Sequence, residues 1–437
     1  MFEVRNLTSQ YNTQHSVPAK SNNINMRNTK MKLIYSTILL LFMCSNNFSI
    51  NAQSWSVNGT TVAGGNGSGS NANQLNKPCG IVIDNAGNIY ISDLGNHRVQ
   101  KWATPYITGN TVAGGNGIGS NANQITNPYA VFVSNTGNIY VTDAQNHRVQ
   151  KWVSPYTTGV TVAGGNGAGS NANQLNGPWS VFLDNSGNIY VSEYNNHRVQ
   201  KWAPPYTTGV TVAGGNGKGS NANQLNNPCG IFVDNSGNIY VADEQNNRIQ
   251  KWDAPNYIVG TTIAGTGVQG SNANQLNVPT GVFVDNSGNI YVADTKNHRV
   301  QKWAAPYTTG VTIAGGNGAG SGANQLSTPY SISFDAGMNL YVSDFDNNRI
   351  QKYSFSATGI TENSPTPLIS IFPNPTIDIL NLSSNANVLI TSVTGQIIAN
   401  LKNVNIIDLS DQQSGIYFIT LFDKAGQIIL RSKIRKE

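Results

Sequence analysis

Histidine is the side chain in this sequence best suited to metal binding and proton transfer, and four of the five histidines stand at one repeated position. They lie in copies of N-H-R-V-Q-K-W, at His97, His147, His197 and His298. Asn247 and Asn348 occupy the same position in the other two copies. Asparagine can replace a hydrogen-bonding histidine but is a poor zinc ligand, and a zinc site needs ligands that converge. We therefore interpret these residues as structural turn residues, and we predict no metal site and no cofactor.

Each copy also carries an acid five residues before an arginine. The pairs are Asp93 with Arg98, Asp143 with Arg148, Glu193 with Arg198, Asp243 with Arg248, Asp294 with Arg299 and Asp344 with Arg349. An acid and an arginine that flank a tight turn can form a charge-assisted hydrogen bond. Six identical pairs indicate scaffold rather than catalysis. Where the copies differ, the sequence shows no carboxylate pair, nucleophile–base pair or phosphate-binding loop, so we predict no catalytic residue.

The elements that carry these residues repeat with a period of about 50 residues. The copies begin at Thr61, Thr111, Thr161, Thr211, Thr262 and Thr312. Each copy predicts four short strands separated by tight turns, such as T-V-A-G, G-I-V-I-D, N-I-Y-I-S-D and R-V-Q-K-W in the first. Six units of four antiparallel strands describe a six-bladed β-propeller, an all-β fold.

The phase of the copies predicts how the ring closes. The first copy begins with a strand that has no blade, and the last blade lacks its outer strand, so Thr60–Gly64 should pair with the strand around Arg349–Tyr353. One apolar residue in each long link should anchor it: Leu75, Ile125, Leu175, Leu225, Leu276 and Leu326. The repeated Trp102, Trp152, Trp202, Trp252 and Trp303, with Tyr353, should pack between blades. Cys79 and Cys229 fall on opposite blades, too far apart for a disulfide, so we expect two free thiols.

The pattern P-x-G-[IV]-x-[VF]-D, G-N-I-Y-V-x-D and N-H-R-[IV]-Q resembles the NHL repeat. The resemblance covers roughly residues 60–360 and implies a six-bladed propeller, which we assign to residues 55–360. Some six-bladed relatives are metal-dependent lyases or lactonases with ligands in the central channel. By that resemblance a metal-dependent enzyme stays an alternative, although the histidines here are repeated and the acids are placed at turns.

Function is expected where the six copies differ. One variable position lies between the recurrent proline and the inner strand, and a second lies in the loop after each acid. On the expected strand order both sets lie at one end of the channel. The aromatic members predict a ligand-binding face, because exposed rings can stack on sugars or anchor a protein. That face comprises Tyr129, Trp179, Tyr194, Tyr330 and Phe345. The alternative is that these rings merely fill the channel mouth.

The first 52 residues read as a leader. Residues 31–52 have the basic start, apolar run and terminal small residue of a signal peptide, and the apolar run is too short to span a bilayer. Residues 1–30 are polar and are interpreted as a non-native upstream extension or a disordered leader. Residues 53–437 hold 21 Lys/Arg and 20 Asp/Glu. This balance gives no electrostatic footprint for nucleic acid, and we expect no integral membrane span in the mature chain.

A second β-domain follows the linker at residues 361–367. Residues 368–437 alternate in hydrophobicity, with T-G-Q and A-G-Q turns, and predict a small immunoglobulin-like β-sandwich. They resemble the type A C-terminal sorting domain of the Bacteroidota type IX secretion system. The matching residues are Pro373, Asn374, Pro375, Gly395, Gly415, Tyr417, Lys433 and Lys436. By this resemblance the type IX machinery is a partner and the protein is secreted or displayed on the outer cell surface. An ordinary adhesion domain is the alternative.

These observations favour a secreted or cell-surface, non-catalytic binding module that takes a glycan or protein ligand. A metal-dependent propeller enzyme and a purely structural surface or matrix protein are the alternatives. The sequence does not name the ligand.

Overall fold

The computed structural model describes residues 54–356, 371–393, 396–422 and 428–437. The expected upstream extension at 1–30, the signal peptide at 31–52 and the linker at 361–367 lie outside the described residues. The chain divides into a large unit, Ala52–Ala357, and a second unit that contains the C-terminal domain.

The large unit contains six antiparallel sheets of four strands each, one for every copy of the repeat. The inner strands are Pro78–Ile83, Val131–Val133, Pro178–Leu183, Pro228–Val233, Pro279–Val284 and Pro329–Phe334. The second strands are Ile89–Asp93, Ile139–Asp143, Ile189–Glu193, Ile239–Asp243, Ile290–Asp294 and Leu340–Asp344. The third strands are Arg98–Trp102, Arg148–Trp152, Arg198–Trp202, Arg248–Trp252, Arg299–Trp303 and Arg349–Tyr353. The outer strands are Gly109–Gly114, Gly159–Gly164, Gly209–Gly214, Gly260–Ala264, Gly310–Gly315 and Thr60–Gly64.

Short 3-10 helices follow the second strand in five blades, at Leu94–Asn96, Ala144–Asn146, Glu244–Asn246, Thr295–Asn297 and Phe345–Asn347. An aspartate closes the hairpin between the first two strands in five blades, and Ser134 takes its place in blade 2. In blade 3, Asp184 Oδ1 accepts hydrogen bonds from the backbone N–H groups of Ser186 and Asn188 at 2.9 and 2.8 Å. Gly187 takes the positive φ of 80° that this turn requires. The predicted six-bladed propeller is therefore confirmed.

The acid–arginine pairs hold the long links against the blades. Nε of the arginine lies 2.5–2.7 Å from the carboxylate in all six pairs, and every carboxylate is fully buried. In blade 4, Asp243 Oδ1 also accepts from the backbone N–H of Asn226, and Arg248 donates to the carbonyls of Asn221 and Gln224. The apolar anchors of the six links are all fully buried. The predicted scaffold role of these residues is confirmed.

The repeated histidine joins each blade to the next one. It has a left-handed backbone conformation, with φ of 54° at His97, and its Nδ1 accepts a hydrogen bond from the backbone N–H of Asn127 at 3.3 Å. Where asparagine replaces histidine, Oδ1 accepts instead, as from Val278 to Asn247 at 3.0 Å. Both side chains offer an acceptor and both tolerate positive φ, which explains their exchange between copies and confirms the structural interpretation.

Replacing His97 and His197 with asparagine should keep this acceptor and reduce the loss of stability in acid. Burial lowers the pKa of both histidines below their ordinary value of 6.5. The unfolded state therefore binds more protons, so the stability that they provide is complete above pH 6.5 and is lost as pH falls through the lower folded pKa. Denaturant unfolding at about pH 7.5 and about pH 5 measures this loss. Equal losses in the parent and the double variant would contradict the prediction, and Asn247→His should enlarge the loss.

The repeated tryptophans pack against the preceding blade, as predicted. All five are about 1% exposed. Trp252 of blade 4, for example, shares a cluster with Tyr190 and Val199 of blade 3. Trp102 of blade 1 packs with Tyr341 of blade 6, so the series continues around the whole ring.

The ring closes as the repeat phase predicts, and a second pair of strands extends the closure. Thr60–Gly64 pairs antiparallel with Arg349–Tyr353, with Thr60 opposite Lys352 and Gly64 opposite Arg349. In addition, Ser54–Trp55 pairs with Phe355–Ser356. The indole Nε1 of Trp55 donates to the carbonyl of Met338 at 2.9 Å. The corresponding carbonyl in each of the other five blades accepts from a tyrosine hydroxyl, at Tyr106, Tyr156, Tyr206, Tyr257 and Tyr307. Trp55 thus replaces the sixth tyrosine, which the sequence analysis did not foresee.

The C-terminal unit is a small β-domain that fits the predicted β-sandwich. Its five strands form one hydrogen-bonded sheet and are Ile371–Phe372, Ile379–Ser392, Ile397–Asp408, Gly415–Phe422 and Ile428–Lys436. The strand Ile379–Ser392 is central, because it pairs with three other strands. Its register with Ile397–Asp408 shifts between Asn381 and Ala386. One core, which includes Val388, Ile419 and Ile434, lies between these strands.

Candidate functional site

The channel mouth is formed by two variable residues from each blade. The first set is Cys79, Tyr129, Trp179, Cys229, Thr280 and Tyr330, and the second is Leu94, Ala144, Tyr194, Glu244, Thr295 and Phe345. Three members of the first set are small and at most 3% exposed. The other three are large rings that remain half-buried. The rings of blades 2, 3 and 6 thus occupy space that the small residues of blades 1, 4 and 5 leave free.

All five aromatic residues predicted to form the ligand-binding face lie in one stack. Trp179 is its centre, with ring centroids 4.0 Å from Tyr129, 5.1 Å from Tyr194 and 6.1 Å from Tyr330, and interplanar angles of 15°, 23° and 16°. Tyr330 in turn stacks on Phe345 at 4.4 Å. Trp179 belongs to blade 3 and Tyr330 to blade 6, so the stack crosses the channel.

This arrangement differs in one respect from a row of separate stacking platforms. Because the rings stack on one another, part of each ring face is already covered by a neighbouring ring. All five side chains are nevertheless half-buried rather than buried, so edges and parts of faces remain accessible. The far end of the stack is covered by a cation, since Lys77 Nζ lies 5.8 Å from the centroid of the Phe345 ring.

Glu244 is a mouth residue whose role the sequence analysis missed. Its side chain accepts a hydrogen bond from the Cys229 thiol at 3.2 Å and one from Gln245 Nε2 at 3.2 Å, and the residue is only 8% exposed. Burial raises the pKa of the Glu244 carboxyl above its ordinary value of 4.5, and the contacts with Cys229, Tyr194 and Gln245 offset this only in part. The sequence offered one signal for Glu244. It directly follows Asp243, and no other copy has an acid at that position.

Burial also raises the pKa of two groups beside Glu244, the Cys229 thiol and the Tyr194 hydroxyl. It raises the pKa of the Cys229 thiol well above its ordinary value, and the nearby carboxylate raises it further. Burial and the Glu244 charge likewise raise the pKa of the Tyr194 hydroxyl. At neutral pH both groups are therefore protonated and available as donors, and Cys229 is a poor nucleophile.

The channel below the mouth is narrow. It encloses a cavity of about 190 Å³, smaller than the roughly 300 Å³ of a typical ligand pocket. Adjacent inner strands approach closely, because a Cβ added to Gly230 would lie 2.5 Å from the Thr280 carbonyl oxygen. Deeper in the channel, the rings of Phe132, Phe182, Phe232 and Phe283 follow one another with centroids 5.2–5.5 Å apart. A ligand of ordinary size therefore does not fit inside the channel.

Both propeller cysteines are free and buried, which confirms the prediction of two thiols. Within the part of the chain that the structure describes, three or more His, Cys, Asp or Glu side chains do not come together as a group that could hold a metal ion. In the same part, no helix has the length and apolar character needed to cross a membrane.

The predicted sorting residues of the C-terminal domain lie around the final strand. Asn374 Nδ2 donates to the Lys433 carbonyl at 2.9 Å, and its Oδ1 accepts from the Arg435 backbone N–H at 3.1 Å. Pro373 and Pro375 flank this asparagine in the chain. Lys436 is paired with Asp378 at 2.8 Å. A surface cleft is lined in part by Asn374, Gly415, Lys433 and Lys436.

Tyr417 and Gly395 are the two remaining predicted sorting residues. The Tyr417 hydroxyl donates to the Gln413 carbonyl at 2.6 Å, and the ring closes the edge of the core. Gly395 lies outside the described residues.

Six four-stranded blades around a narrow channel define a β-propeller, and the residues that vary between its blades lie at one end of the channel. Comparison with protein families identifies the repeat. Residues 75–102, 175–202, 225–252 and 276–303 match the NHL repeat, and residues 370–435 match the secretion system C-terminal sorting domain. The chain therefore contains NHL repeats and ends in a sorting domain, as both resemblances indicated. The second match implies export by the type IX machinery to the cell surface or beyond.

Comparison with curated proteins gave no match. Among solved structures, a structural genomics protein of unknown function from Bacteroides thetaiotaomicron is 16% identical, with a TM-score of 0.55 over 70% of this chain and 77% of that one. An auxiliary nutrient binding protein from Bacteroides ovatus is 16% identical, with a TM-score of 0.52 over 70% and 78%. A gluconolactonase from Xanthomonas campestris is 13% identical, with a TM-score of 0.49 over 65% and 87%. At these identities the likeness shows the fold alone.

Proposed function

We propose that this protein is an exported, non-catalytic binding module that takes a glycan or protein ligand at the channel mouth. One observation carries the proposal. The copies are nearly identical along most of their length, yet at the positions where they differ they bring five aromatic side chains into one half-buried stack. Aromatic rings with accessible edges and polar hydroxyl groups are frequent anchors in carbohydrate and protein recognition.

The rest of the molecule supports the same function. The C-terminal sorting domain directs the chain out of the cell, where glycans and surface proteins are the available ligands. The Bacteroides ovatus propeller of the same fold is described as an auxiliary nutrient binding protein. That description is compatible with a binding role here, but the proposal rests on the mouth residues of this chain.

The aromatic stack can be tested by substitution. In a glycan and surface-protein array, Trp179→Ala and Tyr194→Ala should each weaken binding to a ligand of the parent protein about 10-fold or more, the range of an interface hot spot. Ile107→Ala is a suitable control, because Ile107 is 71% exposed in a loop remote from the mouth. Unchanged binding by both mouth variants would refute the proposal.

A further inference from the structure

The mouth combines aromatic rings with a buried acid that lacks a cationic partner. Among the described residues, every ion pair within 4.0 Å involves other acids, so Glu244 has no Lys, Arg or His at that distance. The charge of Lys296 lowers the pKa of Glu244, but the two side chains do not form an ion pair. Lys296 is itself exposed. The six repeated acids, by contrast, each hold an arginine at 2.5–2.7 Å.

A buried carboxylate whose donors are all neutral still attracts positive charge strongly, because little water screens it. Glu244 interacts with the Tyr194 hydroxyl, and the Tyr194 ring stacks on Trp179 with centroids 5.1 Å apart. A cation that lies against the uncovered parts of these two ring faces is attracted both by the electron-rich faces and by the carboxylate at the hydroxyl end of Tyr194.

The other end of the stack shows that these rings accept such a group. The Lys77 ammonium lies over Phe345 at 5.8 Å, and Lys77 comes from the link that precedes blade 1. One end of the stack therefore already contacts an ammonium group of this chain. Tyr194, which stacks on the central Trp179, lies at another end beside Glu244. Asp346 is also at the mouth, but it is exposed and accepts a hydrogen bond from the Thr328 hydroxyl.

We infer that the mouth recognises an organic cation, a protonated or quaternary amine carried by its ligand, which lies against Tyr194 and Trp179 and is balanced in charge by Glu244. This inference rests on the proposed binding function and specifies the chemistry of the ligand. Both an amino sugar and a lysine side chain of a protein carry such a group.

The test measures binding of small probes to the full mature chain by calorimetry and by tryptophan fluorescence. Choline is compared with 3,3-dimethylbutanol, which has the same shape without the charge. Glucosamine is compared with glucose, and Nα-acetyl-lysine amide with its Nε-acetyl derivative. We expect each cation to bind at least about 10-fold more tightly than its neutral counterpart. The stronger of glucosamine and the lysine amide identifies the source of the amine.

Glu244→Gln should remove this preference, because it keeps the shape and the hydrogen-bond acceptor but not the charge. Asp346→Asn is the matched control at the same mouth and should change the preference less than about 2-fold, since that carboxylate is exposed to solvent. Circular dichroism and thermal unfolding test whether both variants are folded. If Glu244→Gln is poorly folded, Glu244→Asp should retain part of the preference.

Two outcomes overturn the inference. One is that the parent protein does not prefer the cations over the neutral probes. The other is a preference that survives in Glu244→Gln. If a neutral glycan binds the parent, fails to bind Trp179→Ala and binds Glu244→Gln normally, the cation inference fails while the proposed binding function stands. If Trp179→Ala binds every array ligand and every probe as the parent does, the proposed function fails as well.

Discussion

Removing residues 54–64 should destabilise the propeller more than any other change of similar size. The deletion removes both strand pairs that close the ring. Ser54–Trp55 pairs with Phe355–Ser356, and Thr60–Gly64 pairs with Arg349–Tyr353. Loss of the buried Trp55 side chain alone should lower the free energy of unfolding by about 3–5 kcal/mol. Denaturant unfolding of chains that begin at residue 65 and at residue 53 measures the difference, and the longer chain is the control.

The opened edge should also change the behaviour of the folded protein. The strand Arg349–Tyr353 would present unpaired backbone groups, and such edges recruit other chains. Size-exclusion chromatography should therefore show concentration-dependent association of the shorter chain alone. Identical stability and size of the two proteins would show that closure by the N-terminal strands is dispensable.

Asp243→Asn should be the most harmful single substitution of a repeated residue. It leaves the Arg248 guanidinium buried without a counter-charge and weakens the anchoring of the link, so the free energy of unfolding should fall by about 3–5 kcal/mol. The control is Asp253→Asn in the same blade. Asp253 pairs with Lys251 at 2.6 Å, but its side chain is 63% exposed, so solvent screening limits the expected loss to about 0–1 kcal/mol.

The chain itself offers a rescue for this prediction. Glu193 takes the equivalent position in blade 3 and pairs with Arg198 at 2.5 Å. Asp243→Glu should therefore retain most of the stability that Asp243→Asn loses. Chemical denaturation of the three variants separates loss of charge from change of length, and equal losses for Asp243→Asn and Asp253→Asn would contradict the assigned role of the pair.

The repeat period was enough to predict the blades, the acid–arginine pairs, the packing of the tryptophans and the pairing of Thr60–Gly64. Each of these features depends on a pattern that recurs in the copies, so a substitution in one copy does not hide the pattern. Trp55 could not be predicted in this way, because it lies before the first copy and replaces a tyrosine that belongs to a different sequence context.

The mouth was predictable only in part. Variation between copies located Trp179 and its aromatic neighbours, but it could not show that the ring of blade 3 reaches Tyr330 on blade 6. Contacts across the channel depend on side-chain direction and on the size of residues from all six blades. The position of Glu244 beside Cys229 and Tyr194 depends on the same arrangement, which no periodic pattern contains.

The complementary sizes at the mouth restrict how this gene can change. Because the copies are nearly identical in sequence, the shared scaffold would accept a duplicate of one blade in the place of another. The mouth would not, because Cys229 is fully buried where blade 4 adjoins Trp179 and Tyr194 of blade 3. A duplicate of blade 3 in the place of blade 4 would introduce a second tryptophan into space sized for a cysteine. Blades that are interchangeable as scaffold are therefore fixed in their order by the side chains at one end of the channel.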